Sequence, residues 1–126
     1  MKKELFAGIL LLLIFAASIA NIVYLKHITE ELVGYIDKAV ENSDKDDWKA
    51  SEESVTKAIS RWNELHGYTH IVIKHDKIDA TTDAFYDLLI EIYSENKNST
   101  KATGEKIKAM LNNTYEMEKI RIGSIF

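Results

Sequence analysis

The chain has 126 residues, a formal net charge of −4 at pH 7, five glycines, no proline and no cysteine. Without cysteine, disulfide scaffolds, thiol nucleophiles, zinc fingers and iron–sulfur clusters are excluded. The acidic balance disfavours contact with phosphate backbones, so we expect no nucleic-acid partner. The scarcity of proline and glycine disfavours a turn-rich β-sandwich.

The amino terminus combines a basic start with a long apolar run. Lys2 and Lys3 precede the run from Leu5 to Leu25, which as a helix would be about 31 Å long and would match the hydrocarbon core of a bilayer. We therefore predict a membrane anchor over residues 1–25 and a separate body over residues 26–126. No second apolar stretch of spanning length occurs in the sequence, which predicts a single-pass protein. Because the lysines precede the span, the positive-inside rule predicts a cytoplasmic amino terminus and an extracytoplasmic body.

A cleaved signal peptide is the alternative interpretation of the same run. Ser18 and Ala20 are small residues at the positions that a signal peptidase would need for cleavage after Ala20. The protein would then be secreted. The apolar run continues from Ile22 to Leu25, which favours retention as an anchor.

The remaining chain shows apolar residues at alternating spacings of three and four, which predicts amphipathic helices. The first predicted helix extends the anchor without a break from about Lys3 to Val40 and is followed by a polar turn over residues 41–46. Short loops make sequential helices antiparallel neighbours. The predicted fold is therefore all-α, with a transmembrane helix continuing into an antiparallel up-and-down bundle of three to four helices.

Three further helices are predicted in the body. Asp46 or Asp47 is the expected N-cap of the second, and Gly67 its expected C-cap. The third occupies about residues 71–92, and a loop over residues 94–99 precedes the fourth. The expected core positions of the fourth helix are Thr103, Ile107, Met110, Thr114 and Met117.

Four residues are predicted to be structural members of the core. Trp48 and Trp62 are fourteen residues apart, which is two heptads, and fall on one stripe of the second helix. Phe85 and His75 occupy stripe positions on the third helix. A bundle of this size depends strongly on buried aromatic side chains.

His75 is also the strongest candidate for chemistry. Asp79 follows it one turn later and could accept a hydrogen bond from the imidazole. The simpler interpretation is a core histidine held by a carboxylate or a carbonyl group. The alternatives are a metal site containing His75 and Asp79, or a metal-dependent hydrolase built on the same pair.

An acidic row and an apolar tail are the candidate interaction sites. The row places a carboxylate at every fourth residue of the third helix: Asp79, Asp83, Asp87 and Glu91, with Glu95 beyond them. If the second and third helices are antiparallel, Lys57 comes near Asp79 and Lys49 near Asp87, and Arg61 lies on the same basic row of the second helix, so ion pairs between the two rows are expected. The alternatives are that the acidic row binds a hard cation or docks a basic partner. Ile125 and Phe126 either pack on the bundle or act as a short docking peptide.

Several landmarks together resemble a known family. They are the basic start and single span, Asp47-Trp48 with Ala50, Trp62, His75 with Asp79, and Ser124-Ile125-Phe126. The pattern is similar to a family of small bacterial membrane-anchored proteins catalogued as a domain of unknown function. That family commonly ends in Asn-Ile-Phe, and Ser124 replaces the asparagine here. The resemblance implies an architecture and a location, and no activity.

The sequence contains no nucleophile elbow, zinc-protease motif, P-loop or glycine-rich dinucleotide turn. We therefore expect a non-enzymatic protein without a cofactor. The favoured interpretation is an interaction or accessory partner of another protein of the cell envelope. The alternative is a ligand- or metal-sensing bundle that acts through a membrane partner.

Overall fold

The computed structural model describes residues 1–65 and 75–125, with residues 75–77 and 125 as helical backbone only. Four α-helices make up nearly all of these residues, and no strand occurs among them. They are α1 (Lys2–Asp44), α2 (Trp48–Glu64), α3 (His75–Tyr93) and α4 (Lys97–Ile125).

The four helices form a closed bundle in which each packs on its sequence neighbours, and α4 returns to α1. Three residues separate α1 from α2 and three separate α3 from α4, which forces each pair to run antiparallel. The predicted all-α architecture, with a long apolar first helix that continues into a bundle, is therefore confirmed.

The two tight turns are made by polar residues that tolerate unusual backbone angles. Asp46 and Glu95 have φ values of 62° and 53° in the left-handed region, where aspartate is more common than most residues. Asp47 is the N-cap of α2, as predicted, because its carboxylate accepts a 3.2 Å hydrogen bond from the Ala50 amide. Asn96 accepts from the Ser99 amide in the same way at the start of α4.

The core fills the space between the four helices from Leu25 of α1 to the turns at the far end of the bundle. Its fully buried large side chains are Leu32, Ile36, Val55, Ile78, Phe85, Leu88, Ile92 and Ile107. Leu25 and Ile28 are also buried. The core therefore begins at the last residue of the predicted membrane run.

The structure corrects several predicted details. Helix α1 continues to Asp44, and α4 begins at Lys97, so both turns are shorter than predicted. Helix α2 ends at Glu64 with Leu65 as its C-cap, while Gly67 lies outside the described residues. The predicted core stripe of α4 is displaced, because Met117 is 50% exposed.

Gly104 explains much of that displacement. A Cβ atom at this position would lie 2.7 Å from Cγ2 of Val40 and 3.4 Å from Cγ2 of Ile36. The side chains of α1 thus fill the space that a side chain at this position of α4 would occupy. The buried face of α4 follows this contact and comprises Thr100, Gly104, Ile107, Leu111 and Glu118.

Candidate interaction surface

One exposed face of α3 combines carboxylates with large apolar side chains. We define the α3 outer face as Asp79, Asp83, Tyr86, Asp87, Ile90 and Tyr93. Their spacing places all six on the side of the helix opposite the buried residues Phe85, Leu88 and Ile92. The face therefore presents itself to solvent and not to the bundle.

The large apolar side chains of this face are exposed to solvent. Tyr86 is 44% exposed, Ile90 60% and Tyr93 62%. They follow the spacing i, i+4 and i+7, which aligns them into a stripe about 10 Å long. Three large apolar residues at contact spacing are the pattern by which helices recognise other helices.

The acidic row lies across this stripe. Asp79, Asp83 and Asp87 are exposed, whereas Glu91 is half-buried. A spacing of four residues advances 40° beyond a full turn at each step, so the row curves around the helix and leaves the outer face at Glu91. Like charges at this spacing repel one another weakly, and the row gives the face a negative electrostatic potential.

The predicted pairing of the acidic row with α2 is wrong for Arg61. Its guanidinium contacts Glu31 of α1 at 3.2 Å and Glu64 of its own helix at 3.4 Å. The hydrogen bond from Arg61 to Glu31 raises the pKa of the guanidinium further. Among the described side chains, no ion pair joins Lys57 to Asp79 or Lys49 to Asp87.

The contact found between α2 and the α3 outer face is a hydrogen bond. The Tyr93 hydroxyl donates to the Glu52 carboxylate of α2 at 3.2 Å. This bond, together with the Glu52 charge, raises the pKa of the Tyr93 phenol. It also fixes the tyrosine at the edge of the face nearest α2.

The predicted aromatic residues lie behind this face. The ring centroids of Trp62 and Phe85 are 5.8 Å apart, and both side chains are buried. The Trp62 indole donates a 2.7 Å hydrogen bond to the Thr82 hydroxyl, which in turn donates to the Ile78 carbonyl. Trp48 is half-buried and packs against the core.

Three predicted residues lie outside what the structure describes. The side chains of His75 and Ile125 and all of Phe126 belong to this group. In the described ranges, no group of three or more histidine or acidic residues could hold a metal ion. The proposed pair of His75 and Asp79 stays a prediction.

The amino-terminal half of α1 is apolar and projects from one end of the bundle. Of the described helices, α1 alone is long and apolar enough to cross a membrane, and its most apolar window is entirely unburied by the protein. Leu5, Leu12 and Leu13 are each more than half exposed. Such a surface is compatible with lipid around it.

Comparison with known proteins places the chain in a family. The family described as "Domain of unknown function (DUF4363)" matches residues 19–125. The chain belongs to this family. The landmarks from Asp47-Trp48 to Ile125 all fall within the match, as the resemblance implied. No curated protein and no solved structure matches the chain.

The family unit corresponds to the bundle and not to the whole apolar run. The match starts at Ile19, six residues before the first buried core residue, Leu25. It includes all of α2, α3 and α4 as far as Ile125. The family match therefore covers the four-helix body with the last turns of the apolar run.

Tyr86, Ile90 and Tyr93 were missed in the sequence analysis. Their i, i+4, i+7 spacing is visible in the sequence. It was obscured by the adjacent core stripe through Phe85, Leu89 and Ile92, since α3 carries apolar residues on both faces. The signal that could have found them is this second stripe, shifted by one residue from the first.

Proposed function

We propose that the chain is a membrane-anchored, non-enzymatic accessory protein whose α3 outer face binds another membrane-associated protein. The observation that carries the proposal is the exposed stripe of Tyr86, Ile90 and Tyr93 flanked by the aspartates of the same face. Helix-in-groove recognition uses apolar anchors at this spacing. The body is extracytoplasmic in this proposal, following the placement of Lys2 and Lys3 before the apolar run.

The chemistry of the face selects the kind of partner. Two exposed carboxylates, Asp83 and Asp87, lie along one side of the apolar stripe and would attract lysine or arginine side chains. Tyr86 and Tyr93 supply rigid contact area at a low cost in side-chain entropy. The partner segment therefore carries apolar anchors bordered by basic residues.

The membrane anchor supports the proposal because it restricts the encounters of the body to partners near the membrane. A body tethered by α1 stays close to the membrane surface, so a partner in the same membrane is met at a raised effective concentration. A modest surface such as the α3 outer face is then sufficient for recognition. This is the reason to expect a membrane-associated partner.

Site-specific photo-crosslinking in native membranes tests the proposal. Benzoylphenylalanine replaces Tyr86 or Ile90 in the full-length chain, and Thr56, an exposed residue of α2, is the matched control position. We expect one protein adduct from the two α3 positions and none from Thr56. Equal adducts from Thr56, or none from either α3 position, would contradict the proposal.

A charge-reversal variant separates specific docking from non-specific contact. Asp83→Lys combined with Asp87→Lys should abolish the adduct formed at Ile90, because a basic partner is now repelled. Lys101→Glu on α4 is the control for a change of surface charge elsewhere. An adduct that survives the aspartate changes would overturn the assignment of a basic partner.

A further inference from the structure

We propose that the carboxyl-terminal turns of α4, Met117–Ser124, form a second membrane contact beside the span of α1. The inference rests on the membrane anchor in the proposed function, since the lipid must reach the level of α1 next to these turns. The occupant is lipid acyl chains of the leaflet on the side of the body. The evidence is the relative length of α2 and α4, the exposed residues of α4, and its charge balance.

The carboxyl end of α2 does not reach the level of the apolar run of α1. Arg61 contacts Glu31 of α1, and the two helices are antiparallel. Leu65, four residues beyond Arg61, therefore comes level with about residue 27 of α1. The apolar run ends at Leu25, so α2 stays outside the predicted hydrocarbon layer.

Helix α4 continues past that level. Its register against α1 is set by the 2.8 Å contact between Lys108 and Asp37. Farther along, Lys119, Ile122 and Gly123 line one shallow, mostly apolar groove with Phe15, Ser18 and Ile22. The last turns of α4 thus lie beside the second half of the apolar run.

The side of α4 that faces away from α1 exposes two large apolar residues here, with Glu116 and Lys119 beside them. Ile120 is 65% exposed, and Met117, one turn nearer the body, is 50% exposed; their spacing of three places them on one face. Ile122 on the opposite side lines the groove toward α1. Exposed apolar residues at this depth would meet lipid and not water.

The charges of the segment are neutralised locally. Arg121 contacts Glu118 at 2.7 Å, and Lys119 lies 4.0 Å from Glu116. The segment therefore carries no net charge between residues 116 and 121. Its membrane contact is driven by apolar burial and does not require anionic lipid.

Depth-dependent quenching in vesicles tests the inference on the full-length chain. The sequence lacks cysteine, so single cysteines can be labelled with a nitrobenzoxadiazole fluorophore without background. The variants are Ile120→Cys, Leu12→Cys as the lipid-facing reference, and Ile90→Cys as an equally exposed reference on α3. The vesicles contain phosphatidylcholine with or without a doxyl group on the acyl chain, and iodide is the aqueous quencher.

We expect the doxyl lipid to quench the fluorescence of the Ile120 label and of the Leu12 label. Iodide should quench the fluorescence of the Ile90 label. Replacing a third of the lipid with phosphatidylglycerol should leave the pattern unchanged. Quenching of the Ile120 label by iodide, with the Leu12 label still in lipid, overturns this inference alone. Quenching of the Leu12 label by iodide overturns the anchor, and with it the proposed function.

A fourth outcome would indicate that protein, and not lipid, covers Ile120. If neither the doxyl lipid nor iodide quenches the Ile120 label, protein covers the site, and the lipid contact is refuted in favour of a second copy of the chain. Labelling Met117→Cys, on the same face, provides an independent position for each of these outcomes.

Discussion

The Trp62 indole nitrogen lies 2.7 Å from the Thr82 hydroxyl oxygen and donates to it across the interface of α2 and α3. The same hydroxyl donates to the Ile78 carbonyl at 2.8 Å. A part-buried polar pair of this kind favours one register of the two helices, because a slip removes this acceptor from the indole N–H. It lies directly behind the α3 outer face.

Replacing Thr82 with valine should destabilise the bundle by about 1–3 kcal/mol, because the buried indole N–H loses its acceptor. Thr82→Ser keeps the hydroxyl and should cost less. Denaturant unfolding of the full chain in detergent micelles measures both. The interpretation fails if the valine and serine variants have equal stability.

Replacing Gly104 with alanine should destabilise the protein despite the higher helix propensity of alanine. The added Cβ would lie 2.7 Å from a branched side chain, Val40, and overpacking costs about 1–3 kcal/mol, whereas the propensity gain is about 1 kcal/mol. Gly34→Ala is the matched control, since it has no atom within 4 Å of its Cβ position. We expect Gly34→Ala to raise the unfolding midpoint and Gly104→Ala to lower it.

The ion pair of Lys108 with Asp37 should lose its stabilising effect at high pH. The hydrogen bond with Asp37 raises the pKa of Lys108 above its ordinary value of 10.5, and Glu105 contributes in the same direction. A raised folded-state pKa gives stability that is complete below the unfolded pKa and is lost as the pH rises through the folded one. The pair is partly exposed, so we expect a coupling of about 0.2–1 kcal/mol at pH 7.

A double-mutant cycle measures that coupling. It combines Lys108→Met with Asp37→Asn at pH 7 and again at a pH above the pKa of Lys108. The cycle of Arg61→Met with Glu31→Gln is the control, because the hydrogen bond with Glu31 raises the pKa of the Arg61 guanidinium further above its ordinary value. If the coupling energy of Lys108 with Asp37 persists at high pH as fully as that of Arg61 with Glu31, the expected loss of the Lys108 ion pair at high pH is wrong.

The apolar run should be retained in the mature protein. Intact mass spectrometry of the chain extracted from membranes is expected to include residues 1–20. Ala20→Phe blocks processing after position 20, so its mass should differ from that of the wild type by the substitution alone. A wild-type chain that begins at Asn21 would show the secreted alternative.

The helical pattern was readable from the sequence wherever one apolar stripe was continuous. The unbroken pattern from about Lys3 to Val40 predicted one long first helix, and Asp47 is one of the two residues predicted to cap α2. The family was recognised from short landmarks such as Asp47-Trp48. These features are local, because a turn of helix or an N-cap depends only on residues three or four positions apart.

The pairing between helices was not readable in the same way. Arg61 was assigned to the acidic row of α3 but contacts Glu31 of α1, because rotation of α2 in the bundle decides which neighbour a border residue meets. The buried face of α4 was displaced by the contact of Gly104 with Val40. A scale of hydrophobicity does not identify glycine as a core residue.

The helices, the apolar run and the family could all be predicted from the sequence, since each depends on residue type and short spacing. Which faces stay open depends on the tertiary structure. It left Tyr86, Ile90 and Tyr93 uncovered on α3, and it brought Ile122 of α4 beside the apolar run of α1. Both results come from the rotation and relative length of packed helices, which single-helix periodicity does not contain.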